Sequence, residues 1–403
     1  MIIMEIQDLY TSSARLVKST DISFKRYLYD AIDWNVRMLC IRGAKGVGKT
    51  TMMLQYIKEH FPKSSAALYV SLDDLWFTNN RLIDLVEYHY THGGTHLFLD
   101  EVHRYPFQSW STELKNAYDK YPSLHIVFSG SSLLQLNQST ADLSRRCIFY
   151  DIQGLSFREF VMLEKKIALP LLTLPCLLEE HESIANDITS EVKILPLFND
   201  YLVHGYYPFY KETGRSYAKA VQQVVSNIID NDLPSIKNIE HITAVKLKRL
   251  FVVLSQIVPF TLNLTSLGQQ LETSRQSVLK MCMLLQEAAL LNLLFSEKTS
   301  LSQLSKPEKL YLENSNLLYA MSSRAEIGTV RETFFVNQLN ESHEVAYTDK
   351  GDFKIDGTYI FEVGGKNKTF KQIKDIPNSF LAIDDCETGF GNRIPLWMFG
   401  LLY

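Results

Sequence analysis

Short apolar runs alternate with amphipathic segments over the first 150 residues of the chain. The apolar runs are four to six residues long and end in polar or glycine-rich turns, which is the pattern of buried strands. Strands that alternate with helices form right-handed crossovers and a parallel sheet. The pattern therefore predicts an α/β domain with strands over residues 36–41, 66–71, 95–100, 124–129 and 147–150 and helices over residues 51–60, 80–90 and 109–121.

The turn after the first predicted strand matches the P-loop pattern G-x-x-x-x-G-K-[ST]. Glycines in such a loop turn backbone N–H groups toward a triphosphate, at the positive end of the helix that follows. Lys49 would reach the β- and γ-phosphates, and the Thr50 hydroxyl would bind Mg²⁺. The chain is therefore predicted to bind ATP and Mg²⁺ through Gly43, Ala44, Lys45, Gly46, Val47, Gly48, Lys49, Thr50 and Thr51.

The third predicted strand ends in Asp100, which is followed by Glu101. An apolar strand that ends in aspartate is typical of Walker B, whose carboxylate holds Mg²⁺. Glu101 could polarise the water that attacks the γ-phosphate. One strand, 66–71, lies between the two motifs, and this favours the P-loop ATPases that insert a strand between them and activate water with a glutamate.

Five segments make the resemblance specific: IRGAKGVGKTT, LYVSLDD, LFLDEVHRYPFQSW, IVFSGSSLLQL and GLSFREF. Their order resembles that of an AAA+-type ATPase family of bacteria and archaea, in which a P-loop domain precedes a domain called DUF4143. The resemblance covers most of the chain. It implies that Lys49 and Thr50 form Walker A and that Asp100 and Glu101 form Walker B. It also implies a polar sensor residue at the end of strand four, which is Ser129, with Ser131 and Ser132 as alternatives.

Two arginines, Arg145 and Arg146, precede the fifth predicted strand. Related ATPases can carry an arginine finger at this place, where it neutralises charge that develops on the γ-phosphate. The alternative is a solvated basic pair at the edge of the sheet. Arg104, near Walker B, is a further candidate.

A capping box over residues 156–159 predicts a new helix and a domain boundary near residue 155. Residues 156–236 are rich in leucine, are interrupted by prolines and are interpreted as a helical lid. Residues 237–300 contain two short helices across a tight turn and then an apolar strand, which indicates a winged-helix-like segment. Its positive charge is small, which is weak support for DNA binding. A packing module and a DNA-binding surface are therefore both open.

Residues 301–403 are the expected DUF4143 domain, and such domains resemble the PD-(D/E)xK nuclease fold. The resemblance implies that Asp352 and Glu362 are metal ligands, with Lys366 as the only substitute for the lysine that this fold places two residues after the glutamate. Asp356-Gly357 predicts a two-residue hairpin. A regular hairpin of this kind pairs Asp352 with Phe361 and sends Asp352 and Glu362 to opposite faces, and only a bulge would bring them to the same face. An active nuclease and a degenerate fold kept for binding are both open.

The chain has 403 residues, a net charge of −4 and five widely spaced cysteines. This composition is typical of a globular protein with reduced thiols, and it argues against a strongly basic nucleic-acid coat. We expect neither a signal peptide nor a membrane span, because no uncharged apolar stretch reaches about 18 residues. The protein is expected to be cytoplasmic.

The sequence predicts an ATPase whose hydrolysis drives a conformational switch. An ATP-gated DNA nuclease and a non-hydrolysing, nucleotide-bound scaffold are the alternatives. DNA and a protein client are the candidate partners besides ATP, and the oligomeric state stays open.

Overall fold

The computed structural model describes residues 5–61, 65–107, 109–131, 143, 145–237, 239–257, 263–296, 306–322 and 324–403. The chain forms two compact units. Unit 1 contains Met1–Gln153 together with Asp232–Asn238, and unit 2 contains Gly154–Asn231 and Ile239–Tyr403. A piece from the middle of the chain thus belongs to the N-terminal unit, which differs from the four consecutive domains predicted from the sequence.

Unit 1 follows the predicted alternation of strands and helices. Its strands are β1 Met38–Arg42, β2 Ala67–Ser71, β3 His96–Asp100, β4 His125–Gly130 and β5 Ile148–Asp151. Its first helices are α1 Ile6–Ser19, α2 Leu28–Ala31, α3 Lys49–His60, α4 Leu82–Thr91 and α5 Trp110–Lys120. The strands pair in the order β2-β3-β4-β1-β5, and every pair is parallel. The prediction of a P-loop α/β fold with a parallel sheet is confirmed.

The strand order decides which side chains meet at the nucleotide edge of the sheet. Strand β4 lies between β1, which precedes the P-loop, and β3, which ends in Asp100. The first four positions of β1 are buried, because helices cover both faces of a parallel sheet. At the carboxyl ends of the strands the residues become polar, and ligands of open α/β sheets bind at this edge.

Unit 2 begins with the predicted capping box. The Ser156 hydroxyl accepts a hydrogen bond from the Glu159 backbone N–H at 3.2 Å, and the Glu159 carboxylate accepts one from the Ser156 N–H at 3.0 Å. The helices that follow are α6 Phe157–Lys165, α7 Leu174–Glu191, α8 Ile194–His204, α9 Tyr210–Thr213 and α10 Tyr217–Asn227. Helix α11, Leu233–Lys237, belongs to unit 1. The remaining helices of unit 2 are α12 His241–Ile257, α13 Leu264–Gln270, α14 Arg275–Glu287, α15 Ser315–Met321 and α16 Ile327–Leu339.

The segment predicted as a lid and the C-terminal segment share one buried core within unit 2. The Asn316 side-chain amide donates to the carbonyl oxygens of Tyr201 and Leu202 at 3.0 and 2.9 Å. The Gln338 amide donates to the Tyr201 hydroxyl at 3.0 Å. Buried amides need such partners, so these bonds join α8 to α15 and α16. This network joins the segment predicted as a lid to the segment predicted as the C-terminal domain.

Helices α12, α13 and α14 are followed by β6 Leu291–Leu294, which pairs antiparallel with β7 Lys309–Leu312. The turn between α13 and α14 is tight, and Glu272 adopts a positive φ of 49° in it. These elements occupy the segment interpreted above as winged-helix-like, and that assignment stays a prediction.

A second sheet lies at the C-terminal end of unit 2. Its strands are β8 Val345–Tyr347, β9 Phe353–Ile355, β10 Tyr359–Gly364, β11 Ser379–Ile383 and β12 Arg393–Pro395. They pair in the order β12-β11-β10-β9-β8. The pairs among β8, β9 and β10 are antiparallel, whereas β11 pairs parallel with β10 and with β12.

The β9–β10 hairpin differs from the expected one by one residue. Ile355 pairs with Tyr359, so the loop has Thr358 as a third member besides Asp356 and Gly357. The Thr358 N–H donates to the Ile355 carbonyl at 3.0 Å, which closes the loop at this length. Phe361 consequently pairs with Phe353 rather than with Asp352.

The regular pairing of β9 with β10 ends at Phe353, because Asp352 precedes the strand and its N–H donates to the Phe361 carbonyl oxygen at 2.9 Å. The Asp352 carboxylate accepts a hydrogen bond from the Val363 N–H at 2.9 Å. The expectation that Asp352 and Glu362 lie on opposite faces stays a prediction.

Within the described ranges, no helix combines the length and the apolar character that crossing a bilayer requires.

Candidate nucleotide-binding site

The P-loop connects β1 to α3 and has the backbone geometry of an anion-binding loop. Gly48, which precedes the first turn of α3, has a φ of 101° and is left-handed, a conformation that a side chain disfavours. Gly43 lies so close to the backbone that an added Cβ would be 2.4 Å from the Ile152 carbonyl oxygen. The glycines at both positions are therefore required by the path of the loop.

Lys49 is buried at the start of α3. Its ammonium group donates to the carbonyl oxygens of Gly43 and Ala44, both at 2.9 Å. Burial lowers the pKa of Lys49, and the negative charges of Glu101, Asp100 and Asp232 oppose that shift. The lysine is thus folded back onto its own loop, with three carboxylates in electrostatic range.

The buried Arg26 side chain binds the backbone of the P-loop. The Arg26 guanidinium donates to the Val47 carbonyl oxygen and, at 2.9 Å, to the Gln153 carbonyl oxygen. Its side chain is enclosed by unit 1. Sequence reasoning missed Arg26, because a lone arginine upstream of β1 carries no spacing signal.

Asp100 connects the two halves of the site. Its carboxylate accepts a hydrogen bond from the Thr50 hydroxyl at 2.5 Å and one from the Tyr69 hydroxyl at 2.8 Å. A third bond comes from the Ser129 hydroxyl. Asp100 is only 2% exposed, and these three hydroxyl groups together with the Glu101 N–H satisfy its carboxylate. Burial and the Asp100 charge raise the pKa of Tyr69, which keeps its hydroxyl a donor.

Glu101 follows β3 in the left-handed conformation, with φ 51° and ψ 46°. This conformation costs about 1 kcal/mol for a residue with a Cβ. The Glu101 N–H is held by the Asp100 carboxylate and the Ser129 hydroxyl, both at 3.1 Å. The Glu101 carboxylate lies 3.3 Å from His103 Nε2 and is partly exposed. The left-handed backbone therefore fixes the position of the Glu101 carboxylate, which solvent can reach.

Ser129 occupies the place that the resemblance implies for a sensor residue. It contacts both Asp100 and the Glu101 backbone. Of the two alternatives, Ser131 lies beyond the end of β4, and Ser132 is outside the described residues. The sensor role itself stays a prediction.

Arg145 and Arg146 lie at the other edge of the sheet. They precede β5, whose first residue, Ile148, pairs with Leu39 near the start of β1. The Arg146 guanidinium forms two hydrogen bonds with the Asp119 carboxylate, both at 2.9 Å, at the end of α5. Both arginines are therefore at the amino edge, whereas the P-loop is at the carboxyl edge. The arginine-finger role of these two residues stays a prediction.

A second polar cluster lies beside the C-terminal sheet in unit 2. Lys368 Nζ is 2.7 Å from Glu362 Oε1, and the charges of Glu362, Asp352 and Glu332 all raise the pKa of Lys368. Lys309 Nζ lies 3.7 Å from Asp352 and 3.9 Å from Glu332. The structure thus brings together Asp352 and Glu362, which the sequence singled out, and adds Glu332.

The lysine of this cluster is not the predicted one. Lys366 was the only substitute offered by the sequence, but the lysine that contacts Glu362 is Lys368. Burial and the Asp352 charge raise the pKa of Glu332. Among the described residues, no group of three His, Cys, Asp or Glu side chains is arranged to hold a metal ion.

Comparisons with known proteins agree with the fold of unit 1. Residues 35–161 match a family model described as AAA domain (AAA_14). This part of the chain is similar to AAA domains. The match includes the P-loop, Asp100, Glu101 and Ser129, and it supports nucleotide binding by an AAA-type P-loop fold.

The rest of the chain gives a different match from the one expected. Residues 195–327 match DUF8612, a domain of unknown function. The predictions of DUF4143 and of a nuclease-like C-terminal domain are not confirmed by this match.

Whole-chain similarity is more distant. Over 291 residues the chain is 26% identical to an uncharacterized protein of Methanocaldococcus jannaschii, covering 66% of this chain and 60% of that protein. The chain thus spans about 60% of the length of this curated relative. AMPPCP-bound DnaA from Aquifex aeolicus has a TM-score of 0.27 and 14% identity, covering 71% of this chain and 90% of that one. PCH-2 of C. elegans has a TM-score of 0.23 and 16% identity, covering 40% of this chain and 46% of that one. TM-scores this low carry no argument about this chain.

Proposed function

We propose that unit 1 binds ATP with Mg²⁺ and hydrolyses it, and that hydrolysis switches the conformation of the protein. One observation carries this proposal: the Thr50 hydroxyl of the P-loop lies 2.5 Å from the carboxylate of Asp100, 50 residues away in sequence. This contact joins the P-loop to the end of β3, and it supports the roles proposed for Lys49, Thr50, Asp100 and Glu101. The switch would act on DNA or on a protein partner.

The oxygen donors at this edge fit Mg²⁺. A hydroxyl and a carboxylate are ligands of the type that Mg²⁺ prefers, and phosphates and waters usually provide the others. Thr50 and Asp100 would hold the ion, and Tyr69 and Ser129 keep the Asp100 carboxylate in place. When bound, Mg²⁺ neutralises charge on the β- and γ-phosphate oxygens.

Lys49, Glu101 and His103 would have separate roles in hydrolysis. Lys49 would exchange its two carbonyl partners for phosphate oxygens, since its ammonium group already lies at the start of α3. Glu101 would orient a water molecule toward the γ-phosphorus and take up a proton from it as the bond to the ADP oxygen breaks. His103 lies next to the Glu101 carboxylate and restricts its position.

Nucleotide binding can be tested with Lys49→Ala. We expect the dissociation constant for Mg·ATP to rise at least about 100-fold, because a charge-assisted contact to phosphate in a buried site is lost. Lys58→Ala is the matched control on the same helix, since Lys58 donates to the Lys18 and Thr20 carbonyls instead. Calorimetric titration measures both. Equal ATP affinity in Lys49→Ala and wild type would overturn the P-loop assignment.

The C-terminal cluster supports a second candidate function, an ATP-gated DNA nuclease. The supporting observation is that Lys368 lies 2.7 Å from Glu362 and that the charges of both Glu362 and Asp352 act on it. Metal-dependent nucleases use paired carboxylates for the ion and a lysine to orient water. This candidate ranks second because the two lysines already neutralise much of the charge that a cation would need.

The nuclease candidate predicts cleavage of DNA that depends on Mg²⁺ or Mn²⁺ and disappears in Glu362→Gln. Lys368→Ala should remove cleavage and Lys366→Ala should retain it, because only Lys368 contacts Glu362. Gel assays on single- and double-stranded DNA, with and without ATP, give the result. Absence of cleavage by the wild type, or equal cleavage by Glu362→Gln, would eliminate this candidate.

A further inference from the structure

Asp232 is a buried carboxylate that reaches the nucleotide site from the middle of the chain. It ends a π-helical turn, Ile228–Asp232, and is followed by the short helix α11, Leu233–Lys237. We call residues 232–237 the return segment, because they belong to unit 1 while Asn231 before them and Ile239 after them belong to unit 2. Asp232 is 3% exposed. π-helical turns are rare and often mark functional sites.

The partners of Asp232 are the two residues that follow Val102 after Walker B. Its Oδ1 forms an ion pair with Nη2 of Arg104 and lies 3.8 Å from His103 Nε2. His103 also lies 3.3 Å from Glu101, the proposed water-activating residue. Asp232 is close enough to the P-loop that its charge acts on Lys49. The return segment thus puts a fixed negative charge among the groups that would surround a γ-phosphate.

A carboxylate and a phosphate are competing ligands for one guanidinium. Arginine binds both through the same planar arrangement of N–H donors, and the γ-phosphate carries the larger charge. A buried carboxylate next to a bound triphosphate would also be repelled by it. The γ-phosphate of ATP would therefore compete with Asp232 for Arg104 and also repel the Asp232 carboxylate. ADP lacks the γ-phosphate and would do neither.

We propose that Arg104 exchanges the Asp232 carboxylate for the γ-phosphate of ATP, and that this exchange releases the return segment from unit 1. Arg104 is then a γ-phosphate sensor, and Asp232 is a positioning residue that occupies it in the nucleotide-free state. The inference rests on the proposed function, since it requires ATP at the P-loop. The exchange at Arg104 would make the position of the return segment depend on whether ATP or ADP is bound. The chain continues into unit 2 at both ends of this segment.

The alternative is a structural ion pair. Removing either partner of a buried pair leaves the other unsatisfied and destabilises the protein. A purely structural pair would therefore make Arg104→Gln and Asp232→Asn affect nucleotide affinity in the same direction. The exchange predicts opposite directions, because one variant removes the γ-phosphate ligand and the other removes its competitor.

Binding of ATP and of ADP to the full chain tests the proposal. Arg104→Gln should weaken ATP binding at least about tenfold and change ADP binding less than about twofold. Asp232→Asn should tighten ATP binding about threefold or more, with ADP again unchanged. The control is Asp230→Asn, since Asp230 pairs instead with Lys248 at 2.6 Å on the surface. Weaker ATP binding in both variants, or equal effects on ATP and ADP, would overturn the exchange.

Hydrogen exchange on the wild-type protein provides a test that needs no variant. The backbone amides of residues 232–237, of which Pro234 has none, should exchange faster with a non-hydrolysable ATP analogue and Mg²⁺ than with ADP and Mg²⁺. Equal protection in the two states would overturn release of the segment even if a variant failed to fold. A wild type that binds no ATP would instead refute the proposed function itself, so the two failures are distinguishable.

Discussion

Glu313 is an acidic side chain enclosed in unit 2, and it makes the stability of that unit depend on pH. Burial raises the pKa of Glu313 to about 8. The Asn337 amide lies 3.3 Å from the Glu313 carboxyl group, and hydrogen bonds from asparagines only partly offset the effect of burial. The folded protein therefore holds a proton here that the unfolded chain releases near pH 4.3.

The sign of the resulting pH dependence follows from proton uptake. Because the folded-state pKa is above the unfolded one, the contribution of Glu313 to stability is fully present below about pH 4.3. It is lost as the pH rises to about 8. The loss over this window is on the order of 2–5 kcal/mol.

Glu313→Gln removes this titration. We expect the variant to lose less stability than the wild type between pH 5.5 and pH 8.5, because glutamine stays neutral in both folded and unfolded states. Urea unfolding followed by circular dichroism at the two pH values measures the difference. Glu344→Gln is the control, since Glu344 is exposed. An unchanged pH dependence in Glu313→Gln would contradict the assignment.

At the scale of elements, sequence reasoning succeeded where a local pattern determines the structure. The strands of unit 1 are buried on both faces, so they appear as short apolar runs, and their predicted positions agree with β1 to β5. The capping box at Ser156 was predictable for the same reason, since both of its hydrogen bonds lie within four residues. Walker A was predicted from the spacing of its residues and Walker B from an apolar strand that ends in aspartate, and both assignments stay predictions.

The failures at this scale have non-local causes. The β9–β10 hairpin has one loop residue more than its Asp-Gly signal implies. The lysine of the C-terminal cluster was missed because Lys368 reaches Glu362 from the turn after β10, not from the strand. Tyr69 supports Asp100 from the neighbouring strand, and a tyrosine in an apolar run gives no sign of that role.

For the whole molecule, the least predictable feature is the composition of unit 1. Asp232 is 128 residues away from Arg104 in sequence and forms an ion pair with it. Nothing in the sequence around Asp232 distinguishes it from a surface acid at a helix end. The sequence also suggested three domains after residue 155; this division stays a prediction, and buried amides such as Asn316 join its first and last parts within unit 2.

The central claim is that this protein hydrolyses ATP with Glu101 as the residue that activates water. Release of phosphate from Mg·ATP by the wild type and by Glu101→Gln, with and without DNA, is its most direct test. We predict turnover by the wild type and a loss of at least about 100-fold in Glu101→Gln. Glu87→Gln, an exposed acid paired with Lys120, should keep the wild-type rate. Undiminished turnover in Glu101→Gln, or no turnover by a wild type that binds ATP, would contradict the claim.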